Sequence, residues 1–209
     1  MNSVFPGKEN GSTSEVYVYR LFTNILTQFE YLIDMHTASH GRINSLYVRS
    51  DMNDLSTSRM ALLHYPEIIV HNTSKTTLRG TLMALGIKTI TIEIGNPSVF
   101  QEKFIAITLR GVYEVMKYLT MIPNVLSFAK PTHKLTICSS SYWIFTDTGG
   151  VLTVHPTLNT WVKKGELVAE VHTIFGKLTK EYFSPEDGII VGKATNPIAQ
   201  VTLFHFFFF

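Results

Sequence analysis

Apolar residues recur at three- and four-residue steps between Ser14 and Phe29, at Val18, Leu21, Phe22, Ile25, Leu26 and Phe29. That spacing predicts a helix with one buried face, with Thr13 or Ser14 capping its start. The pattern then shortens. Tyr31–Met35 reads as a strand, and the polar stretch from His36 to Asp54, with Gly41, Arg42, Asn44, Tyr47, Arg49 and Asp51, reads as a loop over a site. Ile68-Ile69-Val70 is a short buried strand, Thr76–Leu85 a helix stopped at Gly86, and Lys88–Ile94 another strand. Asn96 is placed to cap a further helix with Pro97 in its first position, and Phe100, Phe104, Ile107, Val115 and Leu119 give that helix a buried stripe.

Strands alternating with helices predict an α/β fold, a layered mixed sheet with flanking helices, over residues 1–125. Near Pro123–Pro131 the grammar changes to short alternating runs, Tyr142–Thr146, Val151–Val154, Glu166–Val171 and Gly188–Gly192. Residues 131–203 therefore read as a small all-β sandwich or barrel domain. The tail Leu203-Phe204-His205 and four Phe is apolar without periodicity, so either the sheet buries it or the natural end has been lost.

Composition narrows the partners. Hydrophobic residues are 45% and charged residues 16% of the 209, the balance of a globular chain. The formal net charge of +2 is spread thinly, so no basic stripe calls for nucleic acid, and small neutral or anionic ligands are expected. No apolar run approaches the roughly 20 residues a membrane span needs. Cys138 has no cysteine to pair with and no neighbouring base to activate it, so it reads as a small buried apolar residue. The amino terminus lacks a signal-type apolar core, and the expected location is cytoplasmic.

Two predicted strands end in chemistry. Tyr31–Met35 runs into His36, and Thr89-Ile90-Thr91-Ile92 runs into Glu93-Ile94-Gly95-Asn96-Pro97. Ligands collect at the carboxyl ends of strands in open sheets, so a His and a Glu there can face one cavity. A zinc hydrolase needs three protein ligands, an open position for water and a carboxylate to take its proton. A lone His at a strand end is more often a hydrogen-bonded structural residue, and a lone Glu there serves equally well to cap the next helix.

The combination of motifs carries more. Asp34-Met35-His36-Thr37-Ala38-Ser39, Gly41 through Arg49, and Glu93-Ile94-Gly95-Asn96-Pro97 resemble the succinylglutamate desuccinylase/aspartoacylase family of zinc-carboxypeptidase-like hydrolases. Asn2-Ser3-Val4-Phe5-Pro6-Gly7 is similar to the family's Asn-Arg-x-Phe-Pro-Gly segment, and the β half, with Ser184-Pro185-Glu186-Asp187-Gly188, to its carboxyl-terminal domain. The resemblance implies a zinc-dependent deacylase acting on an N-acyl amino acid or related amide, with one zinc ion. It implies His36 as a zinc ligand, Glu93 as general base and acid, and Asn2 near the substrate carboxylate; Arg42 is a candidate second anchor, or a solvated loop arginine.

Two departures accompany the resemblance. The family's His-x-x-Glu zinc motif lies upstream of the segment at which this chain begins, and Ser3 replaces an Arg of the carboxylate clamp. His64-Tyr65-Pro66-Glu67 imitates the first spacing, but it follows His36, and Pro66 interrupts any helix that would align its side chains. The expectation is an amino-terminally truncated, incomplete zinc-hydrolase-like domain of impaired activity. The competing reading is a metal-free binding or scaffold protein, whose β half is a structural cover or a homo-oligomer contact. Were zinc bound, His40, Asp51 or His71 would have to complete the site.

Overall fold

In the computed structural model, which describes residues 2–73, 77–125, 127–129 and 131–199 and the backbone of 206–208, the first six strands are β1 (Tyr31–His36), β2 (Arg42–Asn44), β3 (Leu46–Ser50), β4 (Ile68–His71), β5 (Lys88–Ile94) and β6 (Thr136–Cys138). The helices are α1 (Thr13–Asn24), α2 (Leu55–Leu63), α3 (Leu78–Ala84) and α4 (Glu102–Tyr118). Five strands form one mixed sheet in the order β1-β5-β3-β4-β6, parallel at every junction except β3 with β5. Alternation splits β5 between two faces: Ile90 and Ile92 pack with Val48, Ile69, Met60 and Ala61 of α2, and Val115 of α4. Each buried Ile, Val or Met among them contributes roughly 1.5–3 kcal/mol. On the opposite face, α1 and α3 close a second cluster around Leu26, Leu82 and Ile87.

The later strands are β7 (Tyr142–Ile144), β8 (Gly150–Val154), β9 (Trp161–Val162), β10 (Leu167–His172), β11 (Leu178–Phe183), β12 (Gly188–Ile189), β13 (Gly192–Ala194), β14 (Ile198–Ala199) and β15 (Phe206–Phe208). They pair antiparallel in sheets ordered β11-β10-β8-β14, β12-β9 and β2-β13-β15-β7. Leu152, Val162, Val168, Val171 and Ile190 fill the core of this half. The architecture is thus α/β, a layered mixed sheet with flanking helices followed by antiparallel β-sheets. The two parts interlock, because β2 pairs with β13, β6 extends the central sheet, and Tyr47, Ile68 and Val70 pack against Ile189 and Val191. Among the described residues no helix is long and apolar enough to cross a membrane.

Several expectations shift for physical reasons. α1 is capped by Ser12, whose hydroxyl accepts from Glu15 N–H while the Glu15 carboxylate accepts from Ser12 N–H, and it gives way after Asn24 to a 3-10 turn at Leu26–Gln28. The polar stretch read as a loop contains β3, the middle strand of the sheet, with Leu46, Tyr47 and Val48 buried. Its polar residues mask the strand because they serve the site rather than solvent. Helix α2, unsignalled by a strong stripe, is held at its start by Asp54, which accepts from Ser56 N–H and Thr57 N–H. Asn96 does not cap α4: Ser98 lies at φ +57°, the helix begins at Glu102, and Asn96 N–H donates to Gln101 Oε1 at 2.5 Å. Gly86 ends α3 at φ +85°, as its position predicts. Thr76, the segment 200–205 and Phe209 lie outside the described residues.

Candidate active site

Glu93 sits at the carboxyl end of β5 with His36 of β1 and Tyr47 of β3 as its partners in register, and Thr91 is flanked likewise by Asp34 and Arg49. Residues paired across strands share a face, so these six polar side chains form one patch beside an otherwise apolar sheet. Gly95, at φ +74°, turns the chain away immediately after it; a Cβ there would stand 2.4 Å from Gln101 Oε1.

Glu93 is 8% exposed. Arg49 Nε donates to its Oε1 at 3.4 Å and Asn44 Nδ2 to its Oε2 at 3.3 Å. Arg49 Nη2 also donates to Tyr47 Oη at 2.6 Å, and the guanidinium lies 5.1 Å from the Tyr47 ring centre. A carboxylate is buried at tolerable cost only when compensated in this way. His36 Nε2 lies 2.7 Å from Asp34 Oδ2, and that hydrogen bond, opposed by burial, raises the imidazole pKa above its ordinary 6.5. In the neutral ring, with Nε2–H donating to the carboxylate, Nδ1 has the lone pair, the tautomer of an imidazole presented to a metal.

Arg79 arrives from α3 and is 3% exposed. Its Nη1 donates to Asn72 O at 2.5 Å and its Nη2 to Asn72 Oδ1, while burial lowers its pKa to about 10. Among the described residues no carboxylate oxygen lies within 4 Å of it. Asn2 Oδ1 accepts from Leu78 N–H at 2.8 Å, which ties the amino-terminal segment to the start of α3. Asn2, His36, Arg49, Arg79 and Glu93, with Asn72, Thr77 and Thr91, line one cavity of about 300 Å³.

Three of the four residues singled out from sequence are therefore brought together. Arg42 is elsewhere, on β2, with its guanidinium 5.0 Å from the Trp143 ring centre and its pKa lowered by burial. His40, Asp51 and His71 do not line the cavity; His71 Nδ1 accepts from Met52 N–H at 3.0 Å. Sequence reasoning gave no role to Arg49 or Arg79. For Arg79 a signal existed: a lone charge within the otherwise apolar and neutral run Leu78–Ile87. A bigger cavity of about 530 Å³ beside β1 is lined largely by apolar side chains such as Phe29, Ile33, Met116 and Leu119, and gathers no comparable chemistry.

A catalytic zinc takes three protein ligands. The cavity offers one imidazole, backed by Asp34, and among the described residues no group of three His, Cys, Asp or Glu is placed to hold a metal. The residues present fit one corner of such a site and do not by themselves make it.

The family model of the succinylglutamate desuccinylase/aspartoacylase catalytic domain matches residues 1–119. No curated protein matches the chain. Among solved structures, the apo ectoine utilization protein EutE of Ruegeria pomeroyi superimposes with a TM-score of 0.82 at 15% identity, over 99% of this chain and 68% of its own. A succinylglutamate desuccinylase/aspartoacylase of Rhodobacter sphaeroides gives 0.82 at 19%, over 99% and 67%, and an aspartoacylase family protein of Mesorhizobium loti 0.70 at 15%, over 99% and 66%. The chain thus spans about two thirds of the length of these structures, and at such identities they establish a common fold.

Proposed function

The chain belongs to the succinylglutamate desuccinylase/aspartoacylase family of hydrolases, and from that premise we propose that its His36–Glu93 cavity binds and hydrolyses a small N-acyl amino acid or related amide. The observation that carries this reading is the convergence of a buried carboxylate, Glu93, and a buried guanidinium, Arg79, on one small cavity with His36 between the strand ends. Arg79 is a cation largely removed from water, with the Asp51 and Asp34 carboxylates acting on it only beyond ion-pair distance, so an anionic substrate group would complete its compensation. Its planar fork matches a carboxylate with two parallel hydrogen bonds. Asn2, at the same wall, adds a polar contact beside it.

Glu93 is the proton carrier. Arg49 and Asn44 fix its carboxylate from one side, and it takes a proton from the attacking water and returns it to the departing amine. Zinc, the ion the family resemblance implies, would polarise the acyl carbonyl and acidify the water, and His36 is the residue of this chain that would hold it.

A second reading, a metal-free protein that binds acyl amino acids without turnover, is favoured by the single imidazole in the cavity lining. Calorimetry and amine release with N-acetylaspartate and N-succinylglutamate, at zinc content measured by emission spectroscopy, separate the two. Hydrolysis that Glu93→Gln removes while binding persists supports the deacylase. Binding without amine release, lost in Arg79→Gln, supports the second reading. No binding of either ligand sinks both.

A further inference from the structure

The carboxyl-terminal half of the chain reaches the candidate active site through Asn44. This residue of β2 donates from Nδ2 to Glu93 Oε2 at 3.3 Å, and it is also the register partner of Gly192 on β13. Asn44 is 6% exposed and Gly192 is buried. Two backbone hydrogen bonds flank the pair, Ser45 N–H to Val191 O at 2.8 Å and Thr195 N–H to Gly41 O at 2.9 Å, and on its other side Gly192 pairs with Phe207 of β15. The backbone at Gly192 is thus clamped between two strands and has little room to yield.

Glycine at 192 answers a need for space. Its φ lies outside the left-handed region, so the backbone alone does not demand glycine. A Cβ there would stand 2.6 Å from Asn44 Oδ1, with Asn44 Cγ and Ile43 O at an ordinary 3.6 Å. The atom in its way is the oxygen of the same amide whose nitrogen holds Glu93. The orientation of that amide follows from its partner, since a carboxylate accepts and only the NH2 end of an asparagine side chain donates. Gly192 therefore leaves the volume that Asn44 Oδ1 fills, and the bare backbone of β13 seats the amide against Glu93. At 3.3 Å the bond to Glu93 already exceeds the common N–H···O range of roughly 2.7–3.2 Å, so a small displacement of the amide breaks it.

We propose that Asn44, seated by Gly192, is a positioning residue for Glu93, so that the β half sets the geometry of proton transfer; the inference rests on the deacylase reading of the site. Arg49 brings a charge to the Glu93 carboxylate, whereas Asn44 brings direction without charge. A general base displaced by about 1 Å can lose on the order of a hundredfold in rate. Asn44 lies outside the described cavity lining, so loss of its hold leaves the substrate contacts in place and falls on the proton-transfer step. The signature of such a loss is a lower kcat at unchanged KM.

The full chain and its variants are assayed with N-acetylaspartate and N-succinylglutamate. Asn44→Ala and Gly192→Ala should each lower kcat roughly tenfold or more with KM within about twofold, and the double variant should be no slower than Asn44→Ala alone, because Gly192→Ala acts through the amide. A second readout needs no turnover. The Asn44 side-chain amide, assigned in nitrogen–proton correlation spectra through its own backbone resonances, should shift in Glu93→Gln and in Gly192→Ala. If the natural chain hydrolyses neither substrate, the deacylase reading fails, and the amide resonance alone decides whether Gly192 seats Asn44 on Glu93. Should Gly192→Ala fail to fold, the double variant must fold, since the obstructing oxygen is gone. Additive losses in kcat, a rise in KM in place of a fall in kcat, an amide resonance unmoved in either variant, or a double variant as unstable as Gly192→Ala overturns the assignment.

Discussion

Glu93 and His64 are both buried titratable side chains, yet the protein treats them oppositely. Glu93 keeps company with Arg49 and Asn44, whereas His64 has only the Met60 carbonyl, and burial therefore depresses its pKa below the ordinary 6.5. Between the folded and unfolded values the unfolded chain binds a proton that the folded chain refuses. The stability His64 secures as a neutral ring is complete above about pH 6.5 and is lost as pH falls below it. Urea unfolding at pH 7.5 and pH 5.5 should show this loss in the natural chain and a smaller one in His64→Gln; an unchanged pH dependence in the variant would falsify it. Cys138, buried with its thiol pushed up to about 11, stays protonated at neutral pH, in keeping with its reading as a small apolar residue.

At the scale of elements, α4 shows how a packing contact inverts a propensity. Alanine replacing glycine inside a helix ordinarily adds about 0.5–1 kcal/mol. Gly111, however, is where the His64 ring of the α2 carboxyl end rests on α4; a Cβ there would lie 2.0 Å from His64 Cδ2. That ring is pinned by Met60 O and fully buried, so it cannot yield cheaply. Gly111→Ala should therefore destabilise, by about 1–3 kcal/mol, and a melting temperature at or above that of the natural chain would sink the contact. The same scale explains what pattern reading found. β4 is a continuous apolar run and β5 an alternation of Thr and Ile, both β-branched and both local patterns, and both are legible. β3 is not, because Tyr47, Arg49 and Ser50 look like loop letters until their partners across the sheet are known. Asn96 and Pro97 signalled a helix start that the turn at Ser98 postpones to Glu102.

For the whole molecule, the two halves share hydrogen bonds and core. β2 is paired with β13, β6 with β4, and Tyr47, Ile68 and Val70 pack against Ile189 and Val191. Neither half buries these surfaces alone, so the described chain should unfold in one transition. Its two tryptophans, Trp143 and Trp161, report the later half, while the α-helices all precede Leu119 and report the first. Denaturation curves by tryptophan fluorescence and by helical circular dichroism should superimpose. Midpoints well apart would mean that the interlock contributes little.

What the amino-acid sequence settled by itself is local. The apolar runs of β1 and β4, the alternation of β5, the apolar face of α1 and the placing of His36 and Glu93 at strand ends all follow from side chains a few residues apart, since a pattern along one element needs no distant partner. Tertiary structure alone decided the rest of the cavity. Register set His36 and Tyr47 on either side of Glu93, α3 carried Arg79 in from the other side, and pairing with β13 took Arg42 away to Trp143. Those outcomes depend on which elements abut in space, as His36 and Glu93 do from distant parts of the chain, and no short-range pattern encodes such a contact.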